Sequence, residues 1–382
     1  MNISDCFERL RFQFENELPF VAYRKPNSNY IKGFLQNNQE LFSSETFSES
    51  GFLFAPFDLK NTNVLFPLEH SEEFSVEFQP STLTIETQKG ASLKISDSVE
   101  QEKNTRQRQH LKLVEQGIDA ISKQRFKKVV LSRKEVVGIG KVSPIPIFKR
   151  LLTSYTNAFV YIWFHPKVGL WLGATPEMLL SVRGLKFKTV SLAGTRSALN
   201  VDDVVWDEKN LKEQQFVTDF IKEELNSIVK TISVSPRETI KAGKLYHLKS
   251  EISGILNSNK NTLQPIIESL HPTPAVCGLP KLPSKKFILD NENYNREFYT
   301  GFLGELNLKR AKNRNANRRN VENNAYGSIV NETELFVNLR CMQIKDDRAS
   351  IYVGGGITEA SNPKTEWAET EKKARTMLDV LA

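Results

Sequence analysis

Lys128 stands in a β-branched run, KKVVLSRKEVVGI, where alternation gives it one face with Phe126, Val130 and Ser132. Desolvation among such neighbours would strip its charge and make it a base near neutral pH. On an edge strand it would be a solvated cation, as its neighbour Lys127 could be. Glu177, in GATPEML, follows a Gly–Ala–Thr–Pro turn between two strands. There it is either placed to meet a substrate or part of a surface turn.

Two further carboxylates lie on helices. In DEKNLKEQQFVTDFIKEELNSIV the apolar stripe Phe216, Val217, Phe220, Ile221 and Leu225 leads back by three or four residues to Glu213. A carboxylate on a core stripe costs free energy unless it is paired or bound to metal. Glu213 therefore either pairs with a lysine at the wet end of the stripe or ligates a metal. Glu369 lies on a helix whose apolar positions are Trp367, Ala374 and Met377, with Glu366, Glu369 and Lys373 on another side. Glu369 and Lys373 are spaced for a surface pair. Two carboxylates from distant helices also suit Mg²⁺, a hard cation that keeps several waters. Arg340 in LFVNLRCMQI is expected to share a strand face with Phe336 and Asn338, which calls for a carboxylate partner from protein or ligand. His247 in LYHLKS and Tyr299 in EFYTG are either site residues or core residues satisfied by a hydrogen bond.

Between the strand IYV and the last helix comes a run of three glycines, Gly354, Gly355 and Gly356, expected as a turn. Asn362 is a suitable N-cap and Pro363 a suitable first residue for that helix.

These residues need a large frame. The chain has 382 residues, enough for two or three units or one large α/β unit, with 39% hydrophobic and 25% charged residues. Net charge is +7, and six cations of that excess lie in KRAKNRNANRR, residues 309–319. That stretch lacks the interleaved aromatic residues of a nucleic-acid binder, so no nucleic-acid partner is expected. Cys6, Cys277 and Cys341 are far apart and lack CxxC spacing, which points away from zinc or disulfides and toward a reducing, cytoplasmic setting. The first residues, MNISDCFERLRFQFENELPF, lack the apolar core of a signal peptide. No window approaches 18 consecutive apolar residues, so no membrane contact is expected. Nothing demands an oligomer, and a monomer is expected.

Residues 1–100 read as one helix followed by a mainly β region packed on the core, and 105–382 as the catalytic core. The core begins with a charged helix (97–126) and a strand (127–139). Helices are expected at 144–154, 207–231, 262–270 and 292–297, with paired strands between them. Adjacent strand pairs argue for α+β with antiparallel sheets. Residues 309–328 read as an exposed basic loop.

Together the strings KKVVLSR, GATPEMLL, SLAGTR, HLKSEISG, HPTPAVCGLPK, REFYTGFLGEL, NLRC and GGGITEASNPKTEWAETEKKA resemble the chorismate-utilising enzymes, and most closely the isochorismate synthases. They follow the family's order across about residues 105–380. The resemblance implies two sheet-bearing halves packed together, with helices outside and the active site between them. It implies Mg²⁺-dependent, reversible conversion of chorismate to isochorismate, which feeds menaquinone or siderophore synthesis. By motif, Lys128 resembles the base that activates water and Glu177 the acid that protonates the departing hydroxyl. Glu213 and Glu369 resemble the Mg²⁺ ligands. Arg340 and Tyr299 resemble the groups that grip the enolpyruvyl carboxylate, and Gly354, Gly355 and Gly356 a backbone cradle. Lys373 would add positive charge, and Thr195 and His247 would line the ring site. Relatives usually carry an acid and a histidine where this chain has Asn210 and Gln214. Ammonia-using members work with a glutaminase subunit. Lys128 and the string PAVCG favour water instead, so no such subunit is expected. Salicylate synthases share the lysine and also expel pyruvate; Ala275 leans toward isochorismate synthase.

Overall fold

The computed structural model describes residues 1–80, 97–196, 201–242, 245–257, 263–312 and 328–381. In chain order its elements are α1 (Ile3–Glu15), β1 (Phe20–Arg24), β2 (Tyr30–Gln36), β3 (Gly51–Ala55), β4 (Val64–Pro67), β5 (Ser71–Glu77), α2 (Asp97–Ser122), β6 (Lys128–Gly138), α3 (Pro144–Ser154), β7 (Phe159–His165), β8 (Gly169–Thr175), β9 (Met178–Arg183) and β10 (Lys186–Arg196). There follow α4 (Glu208–Asn226), β11 (Val229–Val234), β12 (Glu238–Ala242), β13 (Leu245–Leu256), α5 (Leu263–Leu270), β14 (Gly278–Leu279), α6 (Lys281–Asn291), β15 (Phe302–Lys312), β16 (Ser328–Val337), β17 (Cys341–Lys345), β18 (Arg348–Ile357) and α7 (Pro363–Leu381).

The strands form two sheets. One runs β14-β6-β18-β17-β8-β7-β1-β2-β5 and the other β11-β13-β10-β9-β16-β15-β3-β4, with β12 also on β13. Neighbours pair antiparallel, as in β6 with β18 and β15 with β16. The strands of residues 20–77 enter both sheets: β1, β2 and β5 the first, β3 and β4 the second.

Aromatic side chains fill the space between the sheets. Tyr23, Trp163 and Trp171 of the first sheet meet Phe52, Phe54 and Phe66 of the second, all fully buried, and Phe66 stacks on Trp163 at 5.3 Å. Burial of such large rings, at about 25 cal/mol per Å² of apolar area, is the main force holding the sheets together. The outer faces are covered by helices: α1, α3 and α7 on the first sheet, α4 and α5 on the second, α2 and α6 over β6. The order is helix, sheet, sheet, helix, the α+β architecture expected.

Several local expectations change. The helix expected at 292–297 is instead α6 at Lys281–Asn291. Pro283 falls in its first turn, where a missing N–H costs nothing, and Phe287 and Ile288 are the residues it buries. Helix α4 ends at Asn226, since the β-branched Val229–Val234 pairs with β13. Phe216, expected in the buried stripe, is 51% exposed; the buried face is Gln214, Val217, Thr218, Phe220, Ile221 and Leu225. The three glycines are not a turn but part of β18, opposite Ser132, Leu131 and Val130. Within the expected basic loop, residues 309–312 belong to β15 and Ser328 opens β16. The rest of it, 313–327, lies outside the described residues.

Candidate active site

Where the two sheets part, a cavity of about 390 Å³ opens between β6 and β18 on one side and β10 and β13 on the other, with α4 and α7 at its ends. Ten of the residues singled out in the sequence line it: Lys128, Glu177, Glu213, His247, Tyr299, Arg340, Gly354, Gly356, Glu369 and Lys373. Gly355 does not line it. Thr195 lies in β10, but its side chain is outside the described residues.

Strand β6 begins at Lys128 and carries its side chain to Glu213 of α4, with Nζ 2.6 Å from Oε1. Of the two open readings of Glu213, the lysine pair is present, and it stands on the cavity wall. Glu177 sits between β8 and β9, where its backbone carbonyl accepts from Val337 N–H at 2.9 Å. Its side chain is 8% exposed. Burial pushes its carboxyl up to about 7, against the opposing pull of Lys128 and Arg340. Near neutral pH, Glu177 is thus a carboxylic acid for much of the time.

Arg340 is not inside a strand. Strand β16 ends at Val337 in the second sheet and β17 begins at Cys341 in the first, so residues 338–340 cross from sheet to sheet. Asn338, fully buried, pins the crossing by donating to Phe298 O at 2.9 Å and accepting from Tyr161 Oη at 2.6 Å. Arg340 has φ +47, and its carbonyl accepts from Ala174 N–H. Its guanidinium donates to Thr376 Oγ1 at 3.3 Å and makes no ion pair among the described residues. Burial lowers its pKa from the ordinary arginine value, though an arginine stays charged. An enclosed cation of this kind suits an anionic ligand.

His247 Nδ1 lies 2.9 Å from Gly194 O. A carbonyl only accepts, so Nδ1 carries the proton and Nε2 is an acceptor. Burial lowers its pKa to about 4, so the ring is neutral. Tyr299, 3% exposed, stacks on Tyr352 at 5.3 Å, and burial keeps its phenol protonated as a donor.

The glycines serve by what they lack. A Cβ on Gly356 would lie 2.9 Å from Lys128 Cε, and one on Gly354 would lie 3.0 Å from Tyr299 Oη. Ser132 N–H bonds Glu292 and Val130 N–H bonds Cys277 O, so neither bonds the glycine opposite it on β18. Antiparallel alternation then turns the N–H and C=O of Gly354 and Gly356 away from β6, while Gly355 pairs with Leu131 inside the ladder. That is why Gly355 leaves the cavity. Lys373 Nζ takes Gly354 O at 2.9 Å and also pairs with Glu369 at 2.7 Å.

The cavity holds further residues beyond these ten. Glu366, one turn before Glu369, accepts from Ser361 Oγ at 2.7 Å. Arg196 pairs with Asp207, which also caps α4 through Asn210 N–H at 2.8 Å. Behind the wall, Arg296 is 2% exposed, pairs with Glu292 at 2.6 Å and donates to Val130 O and Val276 O at 2.7 and 2.9 Å. It braces two lining residues. The i, i+4 spacing of Glu292 and Arg296 was the available signal.

Among the described residues no three acidic, histidine or cysteine side chains gather closely enough to hold a metal alone. Glu213, Glu366 and Glu369 nevertheless offer hard oxygen donors to one cavity. Such a set fits a cation that fills its remaining positions with water and ligand oxygens.

Residues 62–313 match the family model described as chorismate binding enzyme, and residues 325–379 match a second model of the same description. The chain is 29% identical to isochorismate synthase DhbC of Bacillus subtilis over 69% of its own length and 65% of that relative's, just under two thirds. It is 29% identical to isochorismate synthase EntC of Escherichia coli, over 85% of this chain and 79% of the other. The structure of MenF, the menaquinone-specific isochorismate synthase from Escherichia coli, superposes with a TM-score of 0.77 at 21% identity, covering 100% of this chain and 93% of that one. With a family model spanning well over half of its residues, the chain belongs to the chorismate-binding enzymes.

Proposed function

We propose that the protein is an isochorismate synthase, converting chorismate reversibly to isochorismate. The observation that carries this reading is the pairing of Lys128 and Glu177 on one cavity, with Glu177 buried and its pKa raised to about 7. Water is a poor nucleophile and hydroxide a poor leaving group, so the reaction needs a base at one carbon and an acid at another. Lys128, as the uncharged amine, takes a proton from water as its oxygen bonds to C2 of the ring. Glu177 gives a proton to the C4 hydroxyl, which departs as water as the ring double bonds shift. Water is added and water is lost, so the net change is an isomerisation.

Chorismate carries two carboxylates, and the cavity offers a separate set of groups for each. Arg340 and Tyr299 hold the enolpyruvyl carboxylate, with the N–H groups of Gly354 and Gly356 as further donors. The ring carboxylate belongs near Glu213 and Glu369, which would repel it unaided. Bound Mg²⁺, held by those two glutamates, would supply the positive charge that draws this carboxylate in. Lys373 adds charge on the same side, and neutral His247 presents an acceptor to a ring hydroxyl.

The test is incubation of the purified protein with chorismate and Mg²⁺, with products separated by chromatography. Isochorismate in reversible balance with chorismate is expected. Salicylate with pyruvate would move the chain to the salicylate synthases, and no conversion with either water or ammonia would end the reading.

A further inference from the structure

A second cavity, of about 450 Å³, opens between α2, the middle of β6 and the residues that end and follow α6. It shares no lining residue with the first. Helix α2 brings Arg106, Lys112 and His110 to it, and β6 brings Arg133 and Lys134. Asn291, Asn293 and Tyr294 close the third side and carry no charge. Two carboxylates border it: Glu135, which Arg106 approaches at 3.4 Å and Arg133 bonds, and Glu292, which accepts from Ser132 Oγ at 2.8 Å and is neutralised by Arg296 at 2.6 Å. With Glu292 already matched by Arg296, four lining cations face Glu135 alone and leave the cavity positive, and its other polar groups are mostly amides that can donate.

His110 adds an independent sign. Its ring is 3% exposed and lines the cavity, and its Nδ1 is enclosed without a hydrogen-bond partner. Burial and the charge of Arg133 keep it neutral, with its pKa lowered to about 4. An enclosed ring nitrogen left unsatisfied is costly, and with the proton on Nδ1 a small turn of the ring toward the cavity lets an entering oxyanion accept from it.

We propose that this cavity is a binding site for a small oxyanion, a phosphate or carboxylate group of a metabolite, separate from the catalytic cavity. The site bears on catalytic residues through Arg133. Its Nε donates to Thr370 Oγ1 at 2.8 Å and its guanidinium lies 4.1 Å above the Trp367 ring. Both residues belong to α7, the helix that carries Glu366, Glu369 and Lys373. An anion that draws Arg133 toward itself loosens its hold on that helix.

The test uses the full chain at low ionic strength, titrated calorimetrically with inorganic phosphate and, separately, with malonate, while Trp367 fluorescence is followed. Binding of at least one probe is expected, with a fluorescence change that Trp367→Phe removes. The double variant Lys112→Ala/Lys134→Ala, whose side chains make no structural ion pair among the described residues, should weaken binding by about tenfold or more. Arg340→Ala, in the other cavity, should leave it unchanged. Preference for phosphate or for malonate names the group and sustains the site. Absence of binding overturns the proposal. So does binding untouched by the lysine double variant, or abolished by Arg340→Ala instead.

Discussion

Lys128 Nζ and Glu213 Oε1 lie 2.6 Å apart, joining the first residue of β6 to the second turn of α4 across the cavity. The base proposed for the reaction and a carboxylate proposed for the metal are thus partners. Loading the site must divide Glu213 between lysine and cation, which ties metal binding to the geometry of the base.

Lys128→Ala is expected to lower kcat by about 10²–10⁴-fold, the usual contribution of a positioned base, while chorismate still binds. Steady-state kinetics with a separate binding titration checks this. Rates like those of the wild type would remove Lys128 from the mechanism.

Glu177 gives a pH signature. As an acid it must be protonated, so kcat/KM should fall as pH rises through about 7. Its folded pKa lies above the ordinary 4.5, so between these values the native state binds more protons than the unfolded one. The stability it contributes is therefore full below pH 4.5, declines up to about 7 and is flat above. Glu177→Gln should abolish turnover and also flatten that decline, which amounts to about 3 kcal/mol at most. Denaturation at pH 5 and pH 8 checks the second effect; an unchanged pH slope in the variant would sink it.

Glu213→Gln and Glu369→Gln should each raise the Mg²⁺ concentration needed for half-maximal activity and weaken Mg²⁺ binding measured calorimetrically, by about tenfold or more. Full activity of both variants in excess chelator would show the metal assignment to be wrong.

Gly356→Ala should cut kcat sharply without unfolding the protein, because its new methyl lies 2.9 Å from Lys128 Cε and the lysine must move. A 1 Å displacement of a reacting group can cost about 10²-fold. Gly138→Ala, at the far end of β6 with nothing within 4 Å, is the control and should be silent. Equal rates in the two variants would overturn the argument.

Arg340→Gln should raise KM for chorismate more than it lowers kcat. Loss of a hydrogen bond to a charged group costs about 1.5–3 kcal/mol, or roughly 10–150-fold in affinity. A fall in kcat alone would place Arg340 elsewhere in the mechanism.

Much of this was legible in the residues. Paired strands and amphipathic helices gave α+β because each pattern reports which face of an element is buried, a local property. The strings around Lys128, Glu177, Glu213 and Glu369 carried the resemblance behind the proposed chemistry, since residue type and flanking turn or helix are local too. Gly355 shows where that stops. Three identical neighbours cannot be told apart in the chain, and it is pairing with Leu131 that turns Gly355 away while Gly354 and Gly356 face the cavity. Arg340 was placed on a strand face because an apolar run hides a change of sheet; the crossing at 338–340 exists only once two sheets are packed. Phe216 was counted as core because periodicity marks a stripe and not its edge, which is fixed by how far the second sheet reaches under α4. The buried Arg296–Glu292 brace and the basic cavity beside α2 draw on segments far apart in sequence. Residue types fix what chemistry is available. Which groups meet, and which are deprived of water so that a glutamate holds its proton near pH 7, depends on long-range packing that the order of residues does not display.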